Sequence, residues 1–200
     1  MDIKGPPDVA KLSASLGKLP EPVARPALVV VSGLPGTGKT YFSQKLAARL
    51  PFVILESDAV RKTLFPRPVY TPVEHYLVFR AIHGLIAQLL KRGIPVILDA
   101  TSLSEGDREP LYAMAEKAGA RLVLVQMRAP EELVKQRLTQ RSADGKNLSD
   151  ADWAVYQMLA PKQEPMRRKH YVADTSRDIS PVIDRVVKEI SRGNSDTKGG

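Results

Sequence analysis

Apolar positions along this chain switch between two periods. Short continuous apolar runs at 28–32, 52–55, 96–99 and 122–127, with a weaker one at 171–173, alternate with stretches in which apolar residues recur every three or four positions. The first kind predicts strands and the second helices, and their strict alternation predicts a parallel sheet. Helices are expected at 40–49, 58–64, 72–92, 105–118, 130–140, 150–159 and 181–191, with Gly93 and Gly119 as C-terminal stops. Before the first strand, Pro6, Pro7, Pro20, Pro22 and Pro26 surround one short amphipathic patch at 9–16, so residues 1–26 are expected to form an arm outside the core. Residues 193–200 are polar and glycine-rich, the composition of a disordered tail. The folded unit is therefore expected at 27–192.

Composition narrows the class. Two hundred residues with 43% hydrophobic content suit one α/β domain. The absence of cysteine excludes disulfides and thiolate metal sites. A formal charge of +8 argues mildly for a polyanionic partner. With no secretory segment and no apolar run long enough to cross a bilayer, the expectation is a cytoplasmic protein without membrane attachment.

Chemistry enters at residues 33–40, Gly-Leu-Pro-Gly-Thr-Gly-Lys-Thr, which fit the G-x-x-x-x-G-K-[ST] phosphate-binding loop between a strand and a helix. Gly33, Gly36 and Gly38 let the backbone curl so that its N–H groups, that of Thr37 among them, face the phosphates of a nucleoside triphosphate. Lys39 then reaches the β- and γ-phosphates, and the Thr40 hydroxyl reaches magnesium.

Three further groups sit where the predicted sheet opens. Asp58 and Arg61 share the first turn of a helix; the carboxylate can accept from an acceptor hydroxyl and the guanidinium can hold a phosphate on the same substrate. The alternative is a helix cap with a surface ion pair. Asp99 ends an apolar strand, the arrangement that holds magnesium directly or through water. Thr101 and Ser102 follow it, as substrate contacts or as caps. Arg137 and Arg141 share a helical face ahead of a polar segment that can close over a nucleotide, a lid at about 137–150. Their charge can stabilise a phosphoryl group in transfer; the plainer role is a solvated face paired with Glu131 and Glu132. Tyr76, Arg80 and His83 lie on one face of the long helix, either lining an acceptor cleft or packing. The three histidines lack metal-ligand spacing.

Together these groups resemble the polynucleotide 5′-hydroxyl kinase family of P-loop phosphotransferases over about residues 27–160. They are also similar to the broad class of small AAA_33-type kinases. The resemblance implies a five-stranded parallel sheet in order 2-3-1-4-5 with flanking helices and a helical lid. It also implies ATP and Mg2+, and adenine near Asp174, Thr175 and Ser176. Asp58 becomes the general base, Arg61 the clamp on substrate phosphate, and Arg137 and Arg141 the lid arginines. The implied acceptor is the 5′-hydroxyl end of DNA or RNA. The chain carries no accompanying phosphatase or ligase module. A small phosphorylated metabolite is the alternative, since adenylylsulfate kinases are similar around the loop and the acidic residue. A nucleotide-driven switch is a third reading.

Overall fold

The computed structural model describes residues 6–144 and 151–195. Five strands, β1 (Ala27–Ser32), β2 (Val53–Glu56), β3 (Val96–Asp99), β4 (Arg121–Arg128) and β5 (Tyr171–Asp174), form one sheet. All its pairings are parallel, in the order β2-β3-β1-β4-β5. This is the parallel sheet that the alternation of elements predicts, in the order that the family resemblance implies. Because successive side chains of a strand point to opposite faces, β1 feeds two cores. Leu28 and Val30 pack on the side of α1 (Pro7–Ser15), α3 (Ser57–Leu64), α4 (Pro72–Lys91) and α5 (Glu105–Lys117). Val29 and Val31 pack on the side of α2 (Lys39–Ala47) and α8 (Ser180–Ser195). A third, smaller apolar cluster joins Leu34 and Leu103 to Val134, Leu138 and Tyr156, seating α6 (Glu131–Asp144) and α7 (Trp153–Leu159) at the loop edge of the sheet.

Local chemistry fixes the ends of these helices. Thr71 caps α4 by accepting from the Glu74 amide, with Pro72 in the first turn where its missing N–H costs nothing. Ser104 and Asp107 form a reciprocal capping box at the start of α5. Gly93 and Gly119 adopt φ of 77° and 60° just beyond α4 and α5, as their expected role as stops requires.

The chain's two ends differ from expectation. Residues 7–15 do not form an arm outside the core: they fold as α1, whose Val9 and Leu12 are each 2% exposed and belong to the larger apolar cluster. Proline density suggested a linker, but Pro7 occupies the first helical turn, where proline is favoured. Leu12→Ala is expected to cost about 2–5 kcal/mol of unfolding free energy, read from denaturant midpoints. A segment outside the core would register roughly 0.5 kcal/mol or less. At the other end α8 continues to Ser195, so residues 193–195 of the expected tail are helical, and 196–200 lie outside the described residues. Among the described residues no helix is long and apolar enough to cross a membrane.

Candidate active site

The parallel register brings three chain segments to one edge of the sheet. Val31 pairs with Asp99, and Glu56 pairs with Asp99 from the other side. The loop after β1, the start of α3 and the end of β3 therefore converge, at the carboxyl edge where open α/β sheets bind ligands. A cleft of about 1320 Å³ opens there.

Its phosphate end is the 33–40 loop. Gly38, at φ 90°, is the N-cap of α2, and a Cβ on it would lie 2.8 Å from Thr175 Cγ2. Gly38→Ala combines that clash with a left-handed backbone costing ~1–2 kcal/mol, so nucleotide affinity should fall about tenfold or more. Titration with a non-hydrolysable ATP analogue, alongside a melting curve to confirm the fold, reads this directly. Gly36 also has a left-handed φ, 78°, and a Cβ on Gly33 would press on the Met127 carbonyl at 2.8 Å. Thr37 is buried, with its hydroxyl on the Leu34 carbonyl at 2.7 Å.

The Lys39 ammonium donates to the Leu34 carbonyl at 3.2 Å. Burial pushes its pKa below the ordinary lysine range, against the pull of the Asp99 and Asp58 carboxylates. The Thr40 hydroxyl donates to Asp99 Oδ2 at 2.7 Å. Burial raises the Asp99 pKa, while Lys39 and Thr40 act in the opposite direction. One hydroxyl beside one carboxylate fits magnesium, a cation that keeps several waters and takes its remaining ligands from substrate phosphates. Among the described residues no cluster of three or more acidic or histidine side chains could cage a metal by itself.

Over the phosphate end, Arg137 donates to the Gly36 carbonyl at 3.2 Å, to Thr175 Oγ1 at 2.7 Å and to the Thr175 carbonyl at 3.0 Å. The Thr175 hydroxyl in turn donates to the Thr37 carbonyl at 3.0 Å. Arg137 thus ties α6 to both the phosphate loop and the β5–α8 connection. Arg141 donates to the Ala151 carbonyl at 2.9 Å and is close enough to Lys39 to oppose its charge. The expected lid at 137–150 is helical to Asp144, and 145–150 lie outside the described residues.

Asp58, Arg61, Thr101 and Ser102 line the same cleft. Arg61 is 6% exposed and ion-paired with Glu74, itself 4% exposed. Arg80 does not line the cleft: it pairs with Asp8 of α1 at 2.9 Å on the exposed outer surface, so its substrate role is corrected. The sequence chose the wrong stripe of α4. Tyr76 is 64% exposed, whereas His75 and Phe79, four residues apart and in ring contact at 4.5 Å, face the cleft.

Glu56, Tyr70 and Asp107 also line it and were not anticipated. Glu56 carried a usable signal, since it ends β2 as Asp99 ends β3. Burial raises its pKa, with Asp99 and Asp58 adding to the shift.

Comparison with known proteins agrees with this arrangement. The chain is 25% identical over 119 residues to L-seryl-tRNA(Sec) kinase of Methanococcus maripaludis, a match covering 57% of this chain and 46% of that protein. It is 31% identical over 111 residues to adenylyl-sulfate kinase of Myxococcus xanthus, covering 54% and 60% respectively. The chain thus spans about half the length of these curated relatives. A solved structure from Chloroflexus aurantiacus J-10-fl shares the fold at a TM-score of 0.67 and 23% identity, over 84% of this chain and 97% of that one. The family model AAA_33, described as an AAA domain, matches residues 28–165. With its phosphate loop, sheet order and cleft inside that span, the chain belongs to the AAA_33 family of P-loop proteins.

Proposed function

We propose that the chain is a kinase that moves the γ-phosphoryl group of ATP to a hydroxyl of a small acceptor. The observation that carries this reading is a single cleft lined both by the phosphate loop, with Lys39 and Thr40, and by Asp58, whose carboxylate is near enough to act on the Lys39 charge. Backbone N–H groups of the loop and the Lys39 ammonium hold the triphosphate. Asp58 accepts a hydrogen bond from the acceptor hydroxyl and takes its proton as the new O–P bond forms and the bond to the β-phosphate oxygen breaks, releasing ADP. An aspartate suffices, because this transition state asks mainly for orientation and late proton removal. Arg141, and Arg137 once it exchanges the Gly36 carbonyl for phosphate oxygen, stabilise the transferring group. Thr40 and Asp99 would hold magnesium, which when bound neutralises charge on the β- and γ-phosphates.

A small acceptor is favoured by the 65–80 segment, from which Tyr70, His75 and Phe79 line the cleft. The 5′-hydroxyl of DNA or RNA is the second reading, supported by the Asp58-x-x-Arg61 spacing and the net charge of +8. Labelled ATP offered to a 5′-hydroxyl oligonucleotide and to small hydroxyl compounds separates the two. Label is expected on small acceptors; a higher kcat/KM on the oligonucleotide reverses the choice, and ADP release without transfer to either supports the nucleotide switch.

A further inference from the structure

The cleft holds buried polar atoms that no neighbour among the described residues satisfies. Arg61 has one guanidinium nitrogen on the Glu74 carboxylate and the Tyr70 ring 4.9 Å from the guanidinium centre. Glu74 also accepts from the Val69 and Tyr70 amides, at 2.7 and 3.4 Å. The charge of Arg61 is therefore paired inside the protein, and its buried Nε–H has no partner among the described residues. The Ser102 hydroxyl, 5% exposed on a backbone at φ 35°, is likewise buried and unpartnered. Both residues line the cleft. A buried polar atom left unpaired carries a desolvation penalty that a ligand group can relieve.

The charges lining the cleft are mixed. Glu56, Asp58 and Asp107 bring three carboxylates besides Asp99. Against them stand Lys39, Arg137 and Arg141 of the phosphate site, with Arg177 and the exposed Lys162. Partial burial and the nearby Arg61 hold the His75 pKa below the ordinary histidine range, against the pull of Asp107. A phosphate monoester placed beside Arg61 would meet the Glu74 carboxylate as well as the guanidinium. Carboxylates instead accept hydrogen bonds from hydroxyls, and Phe79 offers an apolar face for C–H groups.

Resting on the kinase reading, we propose that the acceptor is an uncharged, hydroxyl-rich molecule of the sugar or polyol class, held by hydrogen bonds to the carboxylates, Arg61 Nε–H and Ser102. Arg61 then acts as a neutral-pair donor and not as a phosphate clamp. A site built to hydrogen-bond hydroxyls rejects analogues that leave its buried polar atoms unpaired.

The test uses the full chain with ATP and magnesium, following phosphorylated product for hexoses, pentitols and inositol, for their monophosphates and for the matching amino sugars. At least one neutral compound should exceed its monophosphate and its amino analogue in kcat/KM by about tenfold or more. Glu74→Gln frees the Arg61 charge and should narrow the gap to the monophosphates, whereas an equal loss for both classes overturns the charge argument. If that variant does not fold, the wild-type ratio decides. Better turnover of monophosphates, amino sugars or a 5′-hydroxyl oligonucleotide overturns the acceptor class and leaves the kinase reading standing. Transfer to none of them overturns both.

Discussion

Asp58→Ala lowers kcat for phosphoryl transfer by about 10²–10⁴-fold, the range for removing a positioned general base. ATP affinity is expected to stay level or rise slightly. The reason is local: Lys39 feels the Asp58 carboxylate, so the substitution removes a negative charge near the phosphate end while leaving the loop intact. A group acting on the acceptor hydroxyl in the transition state lowers kcat and kcat/KM together. A residue that merely favours the helix dipole at the start of α3 would instead change stability by ~0.3–1 kcal/mol and leave turnover alone. Steady-state kinetics with a melting curve distinguishes these outcomes, and a kcat within about fivefold of wild type would remove Asp58 from the chemistry.

Arg108→Leu should be the most damaging change outside the reacting groups, costing about 3–5 kcal/mol as the loss of one member of a buried ion pair. Arg108 is 1% exposed. It donates twice to Glu105, at 3.1 and 2.8 Å, and to the carbonyls of Ser102, Leu103 and Pro165 at 3.0, 2.9 and 3.2 Å. Those bonds fasten the loop after β3, which carries Thr101 and Ser102 into the cleft, to the segment after α7. Leucine fills similar volume but strands one carboxylate and three carbonyls. For a domain of this size the melting temperature should drop by roughly 10 °C.

The defect is also pH-dependent. Burial alone would raise the Glu105 pKa, but the hydrogen bonds and charge of Arg108 outweigh it and hold the carboxyl below the ordinary glutamate range. The pair's contribution is therefore full above the unfolded glutamate pKa and fades as pH falls through the lower folded value. The gap between wild type and Arg108→Leu should narrow below about pH 4; a gap that stays constant from pH 7 to acid would argue against the pair.

Local signals revealed the scaffold, and nonlocal partnerships hid part of the site. The strands and the phosphate loop rest on period, glycine placement and one contiguous motif, all readable within a few residues, whereas the strand order came from the family resemblance. Arg61 was visible by its spacing from Asp58. Glu74, thirteen positions later on another helix, carries no mark in the sequence that it pairs with that charge. Arg80 went astray for a related reason: α4 has cleft, core and outer stripes, and its outer stripe is recognisable only once α1 supplies Asp8. Arg108 showed only its spacing of three from Glu105; periodicity assigns an arginine to the surface, and its carbonyl partners come from two separate loops.

The seating of α1 changes where this protein can be shortened. A Cβ on Gly84, in the middle of α4, would approach Val9 Cγ2 to 2.9 Å. Glycine inside a helix sacrifices ~1 kcal/mol against alanine, and here that loss admits the N-terminal helix. The family match begins at residue 28, well after α1. Cutting the gene at that apparent domain boundary would retain the glycine's cost, discard the packing that offsets it and bare an apolar strip on α4. Recombinant versions starting near residue 27 should aggregate where the longer chain stays in solution.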